Sequence, residues 1–255
     1  MTNPGESAPR GMELDILGSG SAFSVVGHHA AYLVDGQLLL DCGGPVVRLL
    51  GERGRSLEEV GLVALSHLHG DHFFALPNLV AARAQQHPGA APIQVVGPKG
   101  TRAALEAIGR LALGDAYWAD VLARQPPEVE EVSDGEEVAL EPFKLRATAV
   151  VHSPRLDCLG FSVTRDGVRL GYSGDTTLCP GIRSLAAEVE YLLCECTGMR
   201  GPEPVHLWRG EVEELMAGAP RTRFILTHLS ERAPVPGAVL AADGLSFRLA
   251  PGAWG

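Results

Sequence analysis

The sequence predicts an α/β fold in which two mixed β-sheets pack face to face with helices on their outer faces. Short apolar strands alternate with helix-patterned segments along nearly all of the 255 residues. The alternation runs twice, in comparable halves, and several of the apolar runs end in histidine or aspartate, which places polar groups where loops meet. With 45% hydrophobic and 20% charged residues the chain can bury a full core, and α/β chains of this length often form one domain. Residues 1–11 read as a disordered tail and 12–255 as a single domain.

In the first half, Met12 to Leu17, Ala30 to Val34 and Gln37 to Asp41 read as strands. A fourth strand, Gly61 to Leu65, leads into a histidine cluster, and a helix from about Asp71 to Gln86 follows. Ile93 to Val96 is a further strand. Thr101 to Leu113 and Asp115 to Arg124 carry apolar residues spaced near three and four, as helices do, until Pro126-Pro127 ends the helical region. The second half places strands at Glu137 to Leu140, Lys144 to Val151, Gly160 to Thr164, Val168 to Tyr172 and Tyr191 to Cys194. It closes with a helix from about His206 to Ala217 and a strand from Arg223 to Leu226.

The chemistry concentrates in Ser66-His67-Leu68-His69-Gly70-Asp71-His72. In an extended segment residues two apart face the same side, so His67 and His69 can converge on one ion, and the bend at Gly70 lets Asp71 and His72 reach a second. Burying so many ionisable groups without a cation would be costly. Three later strands also end in ligand-type residues: His152 after Ala149-Val150-Val151, Asp175 in Tyr172-Ser173-Gly174-Asp175-Thr176, and His228 after Phe224-Ile225-Leu226-Thr227. Singly, His152 and His228 also fit ordinary strand-end histidines, and Asp175 a turn residue.

The H-x-H-x-D-H pattern resembles the signature of the metallo-β-lactamase-fold hydrolases. The following Phe73-Phe74-Ala75-Leu76-Pro77-Asn78-Leu79 and Val96-Gly97-Pro98-Lys99-Gly100-Thr101 resemble segments of tRNase Z-type phosphodiesterases. The resemblance runs from about Leu17-Gly18-Ser19-Gly20 to Asp243-Gly244 and implies the metallo-β-lactamase αβ/βα sandwich. It further implies that His67, His69 and His152 hold one metal, that Asp71, His72 and His228 hold the other, and that Asp175 bridges them. Such a pair of ions makes hydroxide available at neutral pH. Zinc is the first expectation, and imidazole and carboxylate ligands also admit manganese or iron.

His206, in Pro204-Val205-His206-Leu207-Trp208, precedes His228 by 22 residues, a spacing that resembles the phosphodiesterase branch, where this histidine protonates the leaving oxygen or steadies the phosphoryl group. Glu195, in Cys194-Glu195-Cys196-Thr197, matches the acidic residue of an E-x-T motif there and is placed to orient His206, fixing its tautomer and raising its pKa. The plainer alternatives are a helix-start histidine and a solvated glutamate. The candidate catalytic residues are therefore Asp71, counted also as a ligand, His206 and Glu195.

Other features bear on substrate and location. The tRNA-gripping arm of bacterial short-type tRNase Z lies between the third-ligand histidine and the bridging aspartate, and here only 23 residues separate His152 from Asp175. Leu207 replaces the Ser or Thr expected after His206, and Asp41-Cys42-Gly43-Gly44 lacks the fuller acidic motif. A formal charge of −10 argues against a broad grip on nucleic acid. The expected substrate is thus a small or cyclic phosphodiester, with nucleic acid a less favoured alternative. Thioester, lactone or β-lactam hydrolysis and a non-catalytic metal-binding role are readings from other classes. No membrane partner is expected, and a homodimer is left open. The five cysteines show no C-x-x-C spacing, and an odd count in a chain with no export signal points to reduced thiols and a cytoplasmic location, with Cys194 and Cys196 packed in the core. Gly18-Ser19-Gly20-Ser21 is a weak candidate for approaching a phosphate with backbone amides. His28 and His29 read as loop residues near the site, His87 as a surface turn, and Lys99 and Arg155 as solvated cations, with contact to an anionic substrate left open.

Overall fold

A computed structural model describes residues 11–252. The tail expected at 1–11 thus lies outside the described residues except for Gly11. The first half comprises β1 (Met12–Gly18), β2 (Ala31–Val34), β3 (Leu38–Leu40), α1 (Val46–Glu52), β4 (Leu62–Ala64), α2 (Gly70–Phe73), α3 (Leu76–Gln86), β5 (Gln94–Gly97), α4 (Thr101–Leu113), α5 (Asp115–Arg124) and β6 (Glu128–Glu131). The second comprises β7 (Glu137–Leu140), β8 (Phe143–Val150), β9 (Cys158–Arg165), β10 (Val168–Tyr172), α6 (Pro180–Glu188), β11 (Tyr191–Glu195), α7 (Arg209–Gly218), β12 (Arg223–Thr227), β13 (Ala238–Leu240) and β14 (Ser246–Leu249).

Two seven-stranded mixed sheets result, ordered β14-β1-β2-β3-β4-β5-β6 and β13-β12-β11-β10-β9-β8-β7. The alternation seen in sequence reappears as matching sheets. In the first, β14-β1-β2-β3 pair antiparallel and β3-β4-β5-β6 parallel. In the second, β7-β8-β9-β10 pair antiparallel and β10-β11-β12-β13 parallel. The inner faces meet in one apolar layer that includes Leu14, Tyr32, Phe143, Phe161, Leu170 and Leu193. A second layer joins the first sheet to residues of α1, α3, α4 and α5, and a third joins the second sheet to residues of α6 and α7. Strands covered on both faces are apolar throughout, which is why β2, β3, β4 and β11 are buried at every position.

Several elements differ from the sequence expectation. The single helix expected at Asp71 to Gln86 is broken into α2 and α3. Pro77 explains the break: inside a helix its ring would clash with the carbonyl four residues back, whereas in the first turn of α3 it fits. α7 begins at Arg209, so His206 precedes the helix. Helices α1 and α6 were not foreseen, although each has a proline at its start. Strands β6, β13 and β14 were missed because edge strands need not be apolar; β6 reads Glu-Val-Glu-Glu. Among the described residues no helix is long and apolar enough to cross a membrane.

Candidate metal centre

The topology brings the ligand-type residues together from both sheets. β4 delivers the His67–His72 loop from the first sheet. β8, β10 and β12 all run the same way across the second sheet, so the residues beyond their carboxyl ends, His152, Asp175 and His228, emerge on one edge. β11, between β10 and β12, ends in Glu195. Two backbone features bring the chain in close. His228 has a left-handed φ of 53°, a strained state for a non-glycine residue that turns its ring back toward the cluster. A Cβ at Gly43 would lie 1.5 Å from the Asp71 carbonyl, so only glycine lets the β3–α1 turn pack against the ligand loop.

All seven sequence-predicted ligands converge. The donor atoms of His67, His69 and His152 form one group, and those of Asp71, His72, Asp175 and His228 another, each within 4.8 Å of one another. His69 Nδ1 lies 3.0 Å from His67 Nε2 and 3.0 Å from His152 Nε2. On the other side His72 Nε2 is 3.3 Å from His228 Nε2, and Asp71 Oδ2 is 3.2 Å from His228 Nε2. Asp175 Oδ2 sits between the groups, 3.8 Å from the Nε2 atoms of His67 and His152, 3.2 Å from that of His72 and 3.6 Å from that of His228.

The donor set fits two divalent cations. The outer nitrogens are engaged: His67 Nδ1 with Ser66 Oγ at 3.0 Å, His72 Nδ1 with Asp41 Oδ2 at 2.6 Å, His152 Nδ1 with the Val205 carbonyl at 2.7 Å and His228 Nδ1 with Thr197 Oγ1 at 2.8 Å. Such bonds select the tautomer whose Nε2 lone pair faces inward. In the His67–His69–His152 group lone pairs then oppose one another at 3.0 Å, an arrangement that a cation relieves. Asp175 Oδ1 is buried without a hydrogen-bond partner, and a bound divalent cation would satisfy it. None of the cysteines joins either group, so the ligands are nitrogen and oxygen only.

Electrostatics agree. Burial raises the pKa of Asp175, but attraction to His228 and His72 outweighs it and holds the carboxyl well below its usual range. Burial likewise opposes ionisation of Asp71, and the close His228 and His72 rings more than offset it. Burial, with His72 nearby, keeps His67 neutral far below its ordinary pKa. Burial also lowers His69, aided by His152. Burial opposes charge on His72 too, yet Asp175 and Asp41 raise it well above its usual value.

His206 and Glu195 stand beside the cluster as a pair. Glu195, almost fully buried, accepts from His206 Nδ1 at 3.0 Å and from the Thr176 amide at 2.8 Å with Oε1. Its Oε2 accepts from Thr197 Oγ1 at 2.8 Å and the Thr197 amide at 3.2 Å. Burial works against charge on His206, but the bond and charge of Glu195, with Asp175, raise its pKa to about 9. The solvated-glutamate alternative is thereby ruled out.

Asp41 was overlooked as a site residue. It is fully buried at a left-handed φ of 56° and accepts from the Ser66 amide and Oγ, His72 Nδ1 and Tyr172 Oη. The signal was present: a lone carboxylate ends the apolar strand β3, as His152, Asp175 and His228 end theirs. The Gly18–Ser21 turn does not serve as a phosphate cradle, because its amides are spent. Ser19 donates to Asp243 Oδ1, Gly20 to the His28 carbonyl and Ser21 to the Leu229 carbonyl. Lys99 and Arg155 are exposed, as expected. Cys194 and Cys196 are core residues.

Residues 37–229 match the beta-lactamase superfamily domain. The chain belongs to that superfamily. Within it, similar proteins carry the name ribonuclease Z. The protein from Salinibacter ruber is 30% identical over 282 residues, covering 88% of this chain and 87% of its own. That from Mycobacterium marinum is 33% identical over 187 residues, 69% of this chain and 67% of its own. The crystal structure of human tRNase Z, short form, shares the fold, with a TM-score of 0.74 at 24% identity over 93% of this chain and 99% of that one. The chain is thus a metallo-β-lactamase-fold, metal-dependent hydrolase of the tRNase Z-like branch.

Proposed function

We propose that the protein is a phosphodiesterase of ribonuclease Z type that cuts RNA near a 3′ end, with residues 12–255 acting as one hydrolase domain. The observation that carries the phosphodiester reading is the His206–Glu195 pair, 3.0 Å apart at the edge of the two ligand groups. The names of the relatives carry the RNA reading. They reverse the preference for a small phosphodiester drawn from net charge and the missing arm.

His67, His69 and His152 would hold one divalent ion, Asp71, His72 and His228 the other, and Asp175 both, zinc being the first expectation. When bound, such a pair lowers the pKa of water toward about 7 and draws charge from the phosphoryl oxygens. The protein's own residues do the rest. Glu195 holds His206 through Nδ1, which leaves the Nε2 proton free to pass to the departing ribose oxygen. Asp41 and Thr197 hold the rings of His72 and His228. Asp71 contributes as a ligand rather than as a proton carrier, because it is held ionised.

One observation favours a second reading, a small or cyclic phosphodiester. Between His152 and Asp175 the chain makes only a short loop and the β9–β10 hairpin. The alignment with the Salinibacter ruber protein, at 282 residues, is longer than this 255-residue chain, so that relative has segments without a counterpart here. The two readings part on one experiment, in which metal-reconstituted protein is given precursor tRNA, cyclic nucleotides, bis(p-nitrophenyl) phosphate and chromogenic esters. Cleavage at the tRNA 3′ side, falling roughly 10²–10⁴-fold in His206→Ala while both metals stay bound, is expected. Intact tRNA with cleaved cyclic nucleotide selects the second reading, and cleavage of esters alone refutes both.

A further inference from the structure

Loop 19–29, between β1 and β2, carries two fully exposed apolar side chains, Phe23 and Val25. Single exposed apolar residues need no explanation, but this loop is not loose. Its base is laced to the residue after His228: the Ser21 amide donates to the Leu229 carbonyl at 3.1 Å and the Leu229 amide to the Ser19 carbonyl at 2.9 Å. Asp243 accepts from the Ser19 amide, Ser19 Oγ and the His28 amide at 2.7–2.9 Å. Arg232 donates to Ser19 Oγ and to the carbonyls of Val26 and Ala241. The base is fixed at both ends, and the tip presents a phenyl ring to solvent.

A second ring stands on the ligand loop itself. Phe74 is 56% exposed, and a Cβ at Gly70 would lie 2.8 Å from its ring, so the ring lies against the backbone between His69 and Asp71. The two segments share a wall. A Cβ on Gly44 would meet the His29 carbonyl at 3.2 Å, and one on its neighbour Gly43 would meet the Asp71 carbonyl. The two rings therefore stand on segments whose backbones pack beside Asp71 and the residue after His228.

We infer that Phe23, with Val25 beside it, and Phe74 form a platform at the mouth of the site that stacks on nucleobases of single-stranded RNA next to the scissile phosphate. The inference rests on the phosphodiesterase reading. Charge favours stacking over phosphate contacts here: Arg232 is engaged within the loop, Arg200 forms a pair with Glu231, and the chain has only two lysines. Two rings and a valine fall well short of the roughly 1,000 Å² that a stable protein interface needs. Every base offers a π-face, so such a platform binds without sequence preference.

The test uses the metal-loaded full chain with a single-stranded oligoadenylate and the same oligomer made abasic on either side of the cleaved bond. Stacking of one base is worth about 1–3 kcal/mol, so Phe23→Ala should raise KM for the base-bearing oligomer roughly 5–150-fold. The two proteins should converge on the abasic oligomer. Phe23→Trp should restore KM, and its emission should be quenched by oligoadenylate but not by the abasic strand. Phe74→Leu, checked for metal content because the ring packs on Gly70, should show the same base dependence. Equal losses on both oligomers, no loss at all, or a Phe23→Ala protein that merely changes from dimer to monomer by light scattering would each overturn the platform. Wild-type protein that cleaves no phosphodiester would fail the functional reading alone, since the quench reads binding without turnover.

Discussion

Replacing Glu195 by glutamine removes the charge behind His206 and keeps the shape. His206 is raised from an ordinary 6.5 to about 9, a rise worth roughly 3 kcal/mol at about 1.36 per pH unit. Burial opposes that rise; the two largest contributions in its favour are the hydrogen bond and the charge of Glu195. A glutamine has one acceptor for the four donors that Glu195 now serves, so its amide nitrogen must face either His206 and Thr176 or Thr197. The proton on His206 should then come off roughly 1–2 pH units lower. A raised pKa keeps the charged, proton-donating form below it and loses that form as pH rises through it. With a drop of about 1.5 units, turnover of an RNA-like phosphodiester should fall up to about 30-fold at pH above both pKa values and hardly at all at pH below both. Bound cations lower the pKa in both proteins alike, so the difference between the two pH profiles survives metal loading. The assay is log kcat against pH for wild type and Glu195→Gln at equal metal content, with a nitrophenyl ester as control, because nitrophenolate leaves without a proton. Superimposable alkaline limbs, or an equal shift with the nitrophenyl ester, would refute the role assigned to the pair.

Asp175→Ala should lose both metals together, from close to two per chain to near none by elemental analysis, because Asp175 Oδ2 stands within 3.8 Å of four candidate ligand nitrogens. Asp41→Asn should weaken metal binding roughly 10–100-fold in a chelator competition, since Asp41 supports His72 directly and His67 through Ser66 without itself being a ligand. Asp15→Asn tests stability away from the site. Asp15 is buried, bonded to Ser246 and paired with Arg53 and Arg55; burial opposes its charge, but these bonds lower its pKa below 3.8. The substitution should cost about 1–2 kcal/mol in urea unfolding at pH 7 without changing metal content. A depressed carboxyl contributes its stability above the unfolded pKa, so the gap should narrow as pH falls below about 4.

Much of the site was legible because ligands must be ionisable and must sit where buried strands end. His67, His69, Asp71 and His72 announce themselves by density. His152, Asp175 and His228 do so by breaking an apolar run. Asp41 follows the same rule but stands alone, and its four hydrogen bonds come from residues 25 to 131 positions away. A local reading cannot see such partners. The left-handed backbone at His228 and Asp41 is equally hidden, because neither residue type requires it. Among the elements, long amphipathic helices and two-sided buried strands were found from their periodicity. The exposed edges β6, β13 and β14 carry no such periodicity; their pairing is settled by neighbours distant in the chain, as when β14 zips onto β1.

Each candidate ion draws on both halves of the sandwich. His67 and His69 come from the first sheet and His152 from the second; Asp71 and His72 come from the first and His228 from the second. Ligation would then act as a rivet across the seam, beside the inner apolar layer and the few hydrogen bonds that cross it. By linkage, an ion present at 100 times its dissociation constant would add about 2.7 kcal/mol to holding the halves together. The exchange runs in both directions. Truncating Phe161, buried in the inner layer and itself no ligand, should slacken the seam and register as faster loss of metal to a chelator, so that metal retention becomes a gauge of how tightly the sheets are shut.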